Sequence, residues 1–350
     1  MKRKIISAVL AALLLVSLCP EAAADGGPSV SAKSAVLVCG GYTMYNKNAD
    51  MRLPMASTTK LMTAIVALEH CNIDGRVKIK GECCNVEGSS MYLSEGDVYT
   101  VKELVTGLLL VSGNDAALAL ADYVAGGTAQ FAALMNQKAA SLGMTNTHFT
   151  NPHGLSDAGH YSTARDLAQL MLYCMNNPVF AEITAMKSCN IKGLTLVNHN
   201  RLLSSLPSCV GGKTGFTEAA GRCLVSCCEQ NGARFVCVTL CAPDDWNDHA
   251  ALYNWAYSRC SMRSITKQLR FSVPVITGER RWAYLVPESE IELFLPSEVE
   301  ITLSAELPWF VFAPVEKDRK GGNVTVSVDG KCVAEYYLVY ADAVLMKSKE

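Results

Sequence analysis

Net charge is the first thing this sequence has little of. Lysine and arginine together number 31 against 33 aspartates and glutamates, leaving a formal net charge of -2 over 350 residues. There is no basic footprint for nucleic acid and no electrostatic reason to bind an anionic membrane. Charged residues make up only 18% of the chain and hydrophobic ones 50%. That balance excludes a disordered chain and allows a sizeable core in one large domain or two. The 15 cysteines include no Cys-x-x-Cys pair and no spaced Cys/His set, so no zinc site and no metal are expected. The six histidines suggest no catalytic role; His153 lies in a turn beside Pro152 and Gly154, and the other five have no partner legible in the sequence.

What is present begins with a leader. Lys2-Arg3-Lys4, an apolar run from Ile5 to Leu18, and Ala22-Ala23-Ala24 read as the three regions of a signal peptide cut after Ala24. Cys19 follows a bulky Leu18, which argues against a lipoprotein site. An exported protein normally pairs its cysteines, yet Cys83-Cys84 and Cys227-Cys228 are adjacent, and Cys237 and Cys241 share one face of an apolar run. Two readings stay open. The thiols are reduced core residues in a reducing exterior, such as that of an anaerobe, or they form a disulfide framework; the sequence favours the first.

The stretch with chemical promise is Ser57-Thr58-Thr59-Lys60, leading into an apolar run to Glu69 without glycine or proline. Such a run predicts a buried helix, and a spacing of three places the hydroxyl beside the amine. The first turn offers unpaired N–H groups, and a lysine desolvated against a core has its pKa pushed down towards base duty. Alone, the pattern is weak, because Ser264-Ile265-Thr266-Lys267 repeats it.

Two further motifs accompany the first copy. A strand from Ser34 to Cys39 precedes the buried helix, and helices are expected from about Thr100 to Val111, from Asp115 to Ala125, from about Phe131 to Leu142 and from about Thr163 to Met175, where Asn176-Asn177-Pro178 stops the pattern. Ser112-Gly113-Asn114 thus falls on a loop between two helices, although Ser188-Cys189-Asn190 shows how cheaply the triplet arises. Lys213-Thr214-Gly215 follows Gly211-Gly212 and precedes Phe216 and the strand-like Cys223 to Cys227.

Ser-x-x-Lys, Ser-x-Asn and Lys-Thr-Gly in this order resemble the penicillin-recognising serine acyl-transferases. Their surroundings, including Asn151-Pro152-His153-Gly154-Leu155 and Gly212 to Thr217, resemble the low-molecular-mass D-alanyl-D-alanine carboxypeptidases over roughly residues 30 to 345. The resemblance implies an α/β (α+β) transpeptidase-like catalytic domain over 25–266, a mostly antiparallel sheet with helices on both sides, and a smaller C-terminal all-β domain over 267–350. It implies that Ser57 attacks the penultimate D-alanine carbonyl, Lys60 takes its proton and Ser112 relays a proton to the leaving D-alanine. Asn114 would hold the substrate amide, Lys213 and Thr214 the terminal carboxylate, and Gly215 would leave room for the substrate backbone. The N–H groups of Ser57 and Phe216 would form the oxyanion hole. No cofactor is implied. The expected partners are peptidoglycan stem peptides and, as covalent inhibitors, β-lactam antibiotics.

From about Leu269 the pattern turns to short alternating runs, with Asp329-Gly330 as a hairpin signal between two of them; Glu298 to Leu303 is among the expected strands. Two departures stand out. Phe216 occupies a position where some family members carry histidine, which bears on substrate preference. No amphipathic helix follows the last strand, so a chain in the envelope or outside the cell without a strong membrane anchor is expected. A β-lactamase and a sensor that acylates without turnover remain as alternatives, the former opposed by the trailing β domain and the lack of a Glu-x-x-x-Asn loop.

Overall fold

The computed structural model describes residues 27–265, 269–328 and 330–348. The expected leader with Cys19, the expected boundary at 266/267, Lys267 of the second Ser-x-x-Lys and Asp329 of the Asp-Gly turn lie outside the described residues.

At the centre is a five-stranded sheet of β1 (Ser34–Cys39), β2 (Tyr42–Lys47), β7 (Cys209–Thr217), β8 (Gly221–Gln230) and β9 (Ala233–Leu240), ordered β2-β1-β9-β8-β7 and antiparallel throughout. Its strands are apolar at nearly every position because both faces are covered. Val36, Val38, Cys223, Val225, Cys227, Val236 and Val238 face one core, while Ala35, Leu37, Leu224, Cys228, Phe235 and Cys237 face the other. Adjacent Cys227 and Cys228 therefore point to opposite sides, as strand alternation requires. Each buries its sulfur as a small hydrophobe. None of the 14 cysteines among the described residues is in a disulfide. Cys241 lies past the end of β9 with a left-handed φ of 51°, so it does not continue the strand face on which Cys237 sits.

Helices cover the first face: α1 (Lys60–His70), α2 (Val101–Leu110), α3 (Asn114–Ala125), α4 (Thr128–Ser141), α5 (Ala164–Cys174) and α6 (Pro178–Ala185). In α1, every residue from Lys60 to Leu68 is buried, and each aliphatic side chain so covered contributes about 1.5–3 kcal/mol relative to exposure. A capping box opens α2: the Glu103 N–H donates to Thr100 Oγ1 at 3.1 Å and the Thr100 N–H donates to Glu103 Oε2 at 2.7 Å. Gly126, at φ 76°, closes α3. Asn176-Asn177-Pro178 does end the preceding helix, but it also starts α6. Asn177 Oδ1 accepts from Val179 and Phe180 N–H groups, and Pro178 sits where its missing donor costs nothing. On the second face, α7 (Leu202–Ser205) and α8 (Asp245–Ser258) supply the cover. Two ribbons complete this part, β3 (Arg76–Lys78) with β4 (Val98–Thr100) and β5 (Ser188–Ile191) with β6 (Leu194–Val197).

The C-terminal part is sheet-rich. β10 (Cys260–Ser264) pairs with β13 (Glu292–Pro296). β11 (Phe271–Ile276), β12 (Trp282–Pro287), β14 (Ile301–Glu306), β15 (Val311–Phe312), β16 (Lys320–Val328) and β17 (Lys331–Tyr340) form a six-stranded sheet, ordered β14-β16-β17-β12-β11-β15. It has a hydrophobic core of its own around Val273, Leu285, Val324 and Leu338. The strand expected over Glu298 to Leu303 begins only at Ile301, because Ser297-Glu298 turns the chain first. No helix among the described residues is long and apolar enough to cross a membrane.

Candidate active site

Ser57 lies on a 3-10 turn, Ala56–Thr59, that runs directly into α1. The serine therefore sits one tight turn ahead of the α-helix that the sequence pattern predicted to contain it. Ala56 is held at a left-handed φ of 48°, a conformation unfavourable for any residue with a Cβ. Hydroxyls pin the turn: Thr58 Oγ1 donates to Met55 O and Thr59 Oγ1 to Ala56 O, each at 2.7 Å. His160 Nε2 lies 2.7 Å from Thr59 Oγ1, so this histidine has a structural partner that no spacing revealed.

Lys60, fully buried on the first turn of α1, makes three contacts. Its Nζ is 2.9 Å from Ser57 Oγ, 2.7 Å from Asn114 Oδ1 and 2.6 Å from the backbone oxygen of His153. The Asn114 amide is oriented by its other end, where Nδ2 donates to Glu87 O at 2.6 Å. Two of the three neighbours of Nζ are carbonyl oxygens, which only accept. A neutral amine gives its two N–H groups to them and keeps its lone pair for the Ser57 hydroxyl. Burial first, and the charge of Lys213 second, push the Lys60 pKa well down, towards that neutral form.

Ser112, between α2 and α3, has a left-handed φ of 62°. Its Oγ is buried with no hydrogen-bond partner among the described residues. An unsatisfied buried hydroxyl costs about 1–3 kcal/mol, and the backbone strain adds to that, so the position is held for something other than stability. Asp115, next to Asn114, gathers the facing loop through Ser90 Oγ at 2.6 Å and the N–H groups of Met91 and Leu93 at 3.0 Å each.

Lys213, Thr214 and Gly215 lie on β7, the edge strand beside the 3-10 turn. Gly212 exchanges hydrogen bonds with Thr184 Oγ1, so its N–H and C=O point away from β8. By the two-residue period of a strand, the backbone groups of Thr214 and Phe216 face the same free edge. Phe216 thus offers an N–H towards the cleft while its side chain is 65% exposed. A Cβ on Gly215 would come within 3.0 Å of Ser57 N and 3.1 Å of Met55 O, so only glycine lets strand and turn approach this closely. Lys213 is buried, with Nζ donating to Thr214 O at 2.9 Å, and burial pulls its pKa down to about 7.

Ser57, Ser112, Asn114, Thr214, Gly215 and Phe216 line one cleft of about 850 Å³, while Lys60 and Lys213 stand behind its wall. That volume suits a peptide end. All eight residues singled out by sequence are brought together. Ser264 lies on strand β10, away from any helix start, and Ser188-Cys189-Asn190 lies in the β5–β6 ribbon. What sequence reasoning missed is mostly backbone: the His153 carbonyl, and the loop that presents it, which Asn151 Oδ1 holds by accepting from Gly154 N at 2.7 Å. Gly154 is at φ 89°, and a Cβ there would lie 2.0 Å from Ala56 O. Gly154→Ala is expected to cost about 2 kcal/mol or more and to slow penicillin acylation, because the strain falls on the turn carrying Ser57. A thermal midpoint equal to that of the parent protein would contradict this.

The family profile for D-alanyl-D-alanine carboxypeptidases, peptidase family S11, matches residues 21–244. The chain belongs to the D-alanyl-D-alanine carboxypeptidase family. Among its relatives, D-alanyl-D-alanine carboxypeptidase DacF of Bacillus subtilis is 30% identical over 359 residues, spanning 95% of this chain and 92% of that one. DacB2 of Mycobacterium tuberculosis is 36% identical over 230 residues, 62% of this chain and 79% of its own. Penicillin binding protein 5 from Haemophilus influenzae superposes with a TM-score of 0.68 at 27% identity, covering 91% of this chain and 98% of that one. The expected fold class, a transpeptidase-like α/β body with a smaller sheet-rich C-terminal domain, is that of this family member.

Proposed function

We propose that this family member hydrolyses the D-Ala-D-Ala bond of peptidoglycan stem peptides through an acyl-enzyme on Ser57. The observation that carries the reading is the triple contact of Lys60, whose valences leave a lone pair facing the Ser57 hydroxyl. In this reading Lys60 accepts the proton as Ser57 Oγ attacks the penultimate D-alanine carbonyl. The oxyanion is met by the N–H groups of Ser57 and Phe216. Ser112 passes a proton to the departing D-alanine, and its lack of a partner among the described residues fits a hydroxyl reserved for that contact. Asn114 keeps Oδ1 on Lys60 and one Nδ2 hydrogen on Glu87 O and offers its remaining N–H to the substrate amide, Lys213 and Thr214 take the terminal carboxylate, and Gly215 admits the substrate backbone along the free edge of β7. Water then completes the turnover.

The domain division of 25–266 and 267–350 belongs to the same proposal, with β-lactams as covalent inhibitors and a location in the envelope or outside the cell. Incubation with a pentapeptide ending in D-Ala-D-Ala should release one free D-alanine per peptide. Release of none, with penicillin still bound covalently, would indicate a sensor instead; rapid nitrocefin hydrolysis would indicate a β-lactamase.

Acidity supplies a further test. Lys213 must be protonated to bind a carboxylate, and in the free enzyme it loses that proton near pH 7. Hence kcat/KM is expected to fall as pH rises through about 7, while kcat lacks this limb because a bound carboxylate raises the Lys213 pKa again. Lys213→Arg should remove the alkaline limb of kcat/KM, since guanidinium stays charged, and Lys213→Ala should mainly raise KM. A kcat/KM profile identical in the parent and Lys213→Arg proteins would sink the assignment. Stability follows the same lysine with opposite preference. Its folded pKa lies below the unfolded value of 10.5, so between 10.5 and about 7 the unfolded chain holds more protons, and stability declines as pH falls through that window and is flat below it.

A further inference from the structure

The 14 cysteines among the described residues are all thiols, but one pair is set for a bond. Cys209 at the start of β7 stands directly opposite Cys228 on β8. The Cys209 N–H is bonded to Leu206 O instead of to Cys228, while the Glu229 N–H reaches Ser208 O. That pattern marks Cys209 and Cys228 as a non-hydrogen-bonded pair of an antiparallel ladder, the kind in which Cα atoms come within about 4.5 Å and side chains lie closest. A disulfide needs a Cα separation of about 4.4–6.8 Å, so no backbone movement is required. The two thiols are close enough to influence each other, and both side chains face the same core.

We propose that Cys209 and Cys228 are a disulfide-forming pair that cross-links β7 to β8 when the protein meets an oxidant such as hydrogen peroxide. The Cys209 sulfur attacks one peroxide oxygen, the O–O bond breaks, and hydroxide leaves with the thiol proton as water, giving a sulfenic acid. The Cys228 sulfur then displaces the hydroxyl from the Cys209 sulfur, and its own proton departs with that hydroxyl as a second water. Each cysteine gives up one electron and the peroxide takes both. The order of events follows from surroundings: the Cys228 thiol first, then a backbone contact at Gly211 and last the Asn200 amide, 3.8 Å from the Cys209 sulfur, favour the Cys209 thiolate against the opposing effect of its burial, whereas burial pushes Cys228 far up.

The bond would clamp the beginning of the strand that carries Lys213, four residues before it, with a one-residue irregularity at Val210 in between. Cys39 and Cys260 serve as the internal comparison, because their thiols also touch but lie on β1 and β10, which do not pair, so no ladder fixes their Cβ separation.

The test is peroxide treatment of the folded full chain, alkylation in denaturant and tryptic mass spectrometry. Peptide 202–213, holding only Cys209, should appear joined to peptide 223–234, two hydrogens lighter than the sum, and reductant should separate them. Cys228→Ser should abolish the joined species. Cys227→Ser, altering the adjacent residue on the opposite face, should leave it intact. Penicillin labelling reports whether each variant has folded, and Cys209→Ser replaces Cys228→Ser if that variant has not. Complete alkylation of Cys209 and Cys228 in the treated parent protein, or survival of the joined peptides in Cys228→Ser, overturns the proposal.

Discussion

The Ser57→Ala protein is expected to bind no labelled penicillin covalently and to release no D-alanine from a D-Ala-D-Ala pentapeptide. Ser57 Oγ is the hydroxyl at 2.9 Å from Lys60 Nζ, and without it no ester can form. The rest of the site should be almost undisturbed. The 3-10 turn is held by Thr58, Thr59 and the backbone, and Lys60 keeps its contacts to Asn114 and His153. A normal thermal midpoint with complete loss of labelling is therefore the expected pair of results. Ser264→Ala, which alters the second Ser-x-x-Lys on β10, should label like the parent protein. Persistent covalent labelling of Ser57→Ala would remove Ser57 as nucleophile and require the constellation to be read again. The alanine protein should still bind substrate, since Asn114, Lys213 and Thr214 are untouched; retained affinity with zero turnover separates loss of the nucleophile from collapse of the cleft.

Why so much of this site could be read from the residues has a physical basis. Its chemistry is carried by side chains at short, local spacings: Ser57 and Lys60 lie three apart where the 3-10 turn runs into α1, and Ser112 and Asn114 lie two apart where the α2–α3 loop runs into α3. Local geometry of that kind survives folding. The helices with strong caps were equally legible, as with the Thr100–Glu103 box and Gly126. What escaped was non-local or backbone. α8 carries buried Asp245 and Asp248 among tryptophans and tyrosines, so no apolar stripe announces it. The Asp248 carboxylate accepts from Ser31 and Ala32, more than two hundred residues earlier in sequence. His249 sits fully buried between Ser226 Oγ at 2.7 Å and Thr239 Oγ1 at 3.0 Å, partners that come from two other strands. Its low pKa, about 3, follows from burial and belongs to the core behind β8, apart from the cleft. Asn177-Pro178 reads in sequence as a stop because proline cannot continue a helix, although the same chemistry suits the first turn of the next one. The His153 carbonyl has no side-chain signature, and only the folded chain brings it to Lys60.

That carbonyl matters for the second large effect. Lys60→Met keeps the length of the buried stem and removes the amine, so the core should be filled while the base is lost. Acylation by penicillin is expected to slow by about 10²–10⁴-fold, the contribution of a positioned general base. Asn114 Oδ1 and His153 O would also lose their donor, which should lower the thermal midpoint, because the buried Asn114 acceptor would be left unpaired at about 1–3 kcal/mol and the half-buried His153 carbonyl at less. Part of that cost should be returned, since an amine whose pKa is driven well down by burial and by Lys213 is itself an expensive group to bury. The rate and the stability therefore report different things. A large loss of rate with a modest fall in midpoint is the signature of a base held neutral beside its nucleophile. If Lys60→Met acylates within tenfold of the parent rate, some other group takes the Ser57 proton, and the lone-pair argument for Lys60 fails.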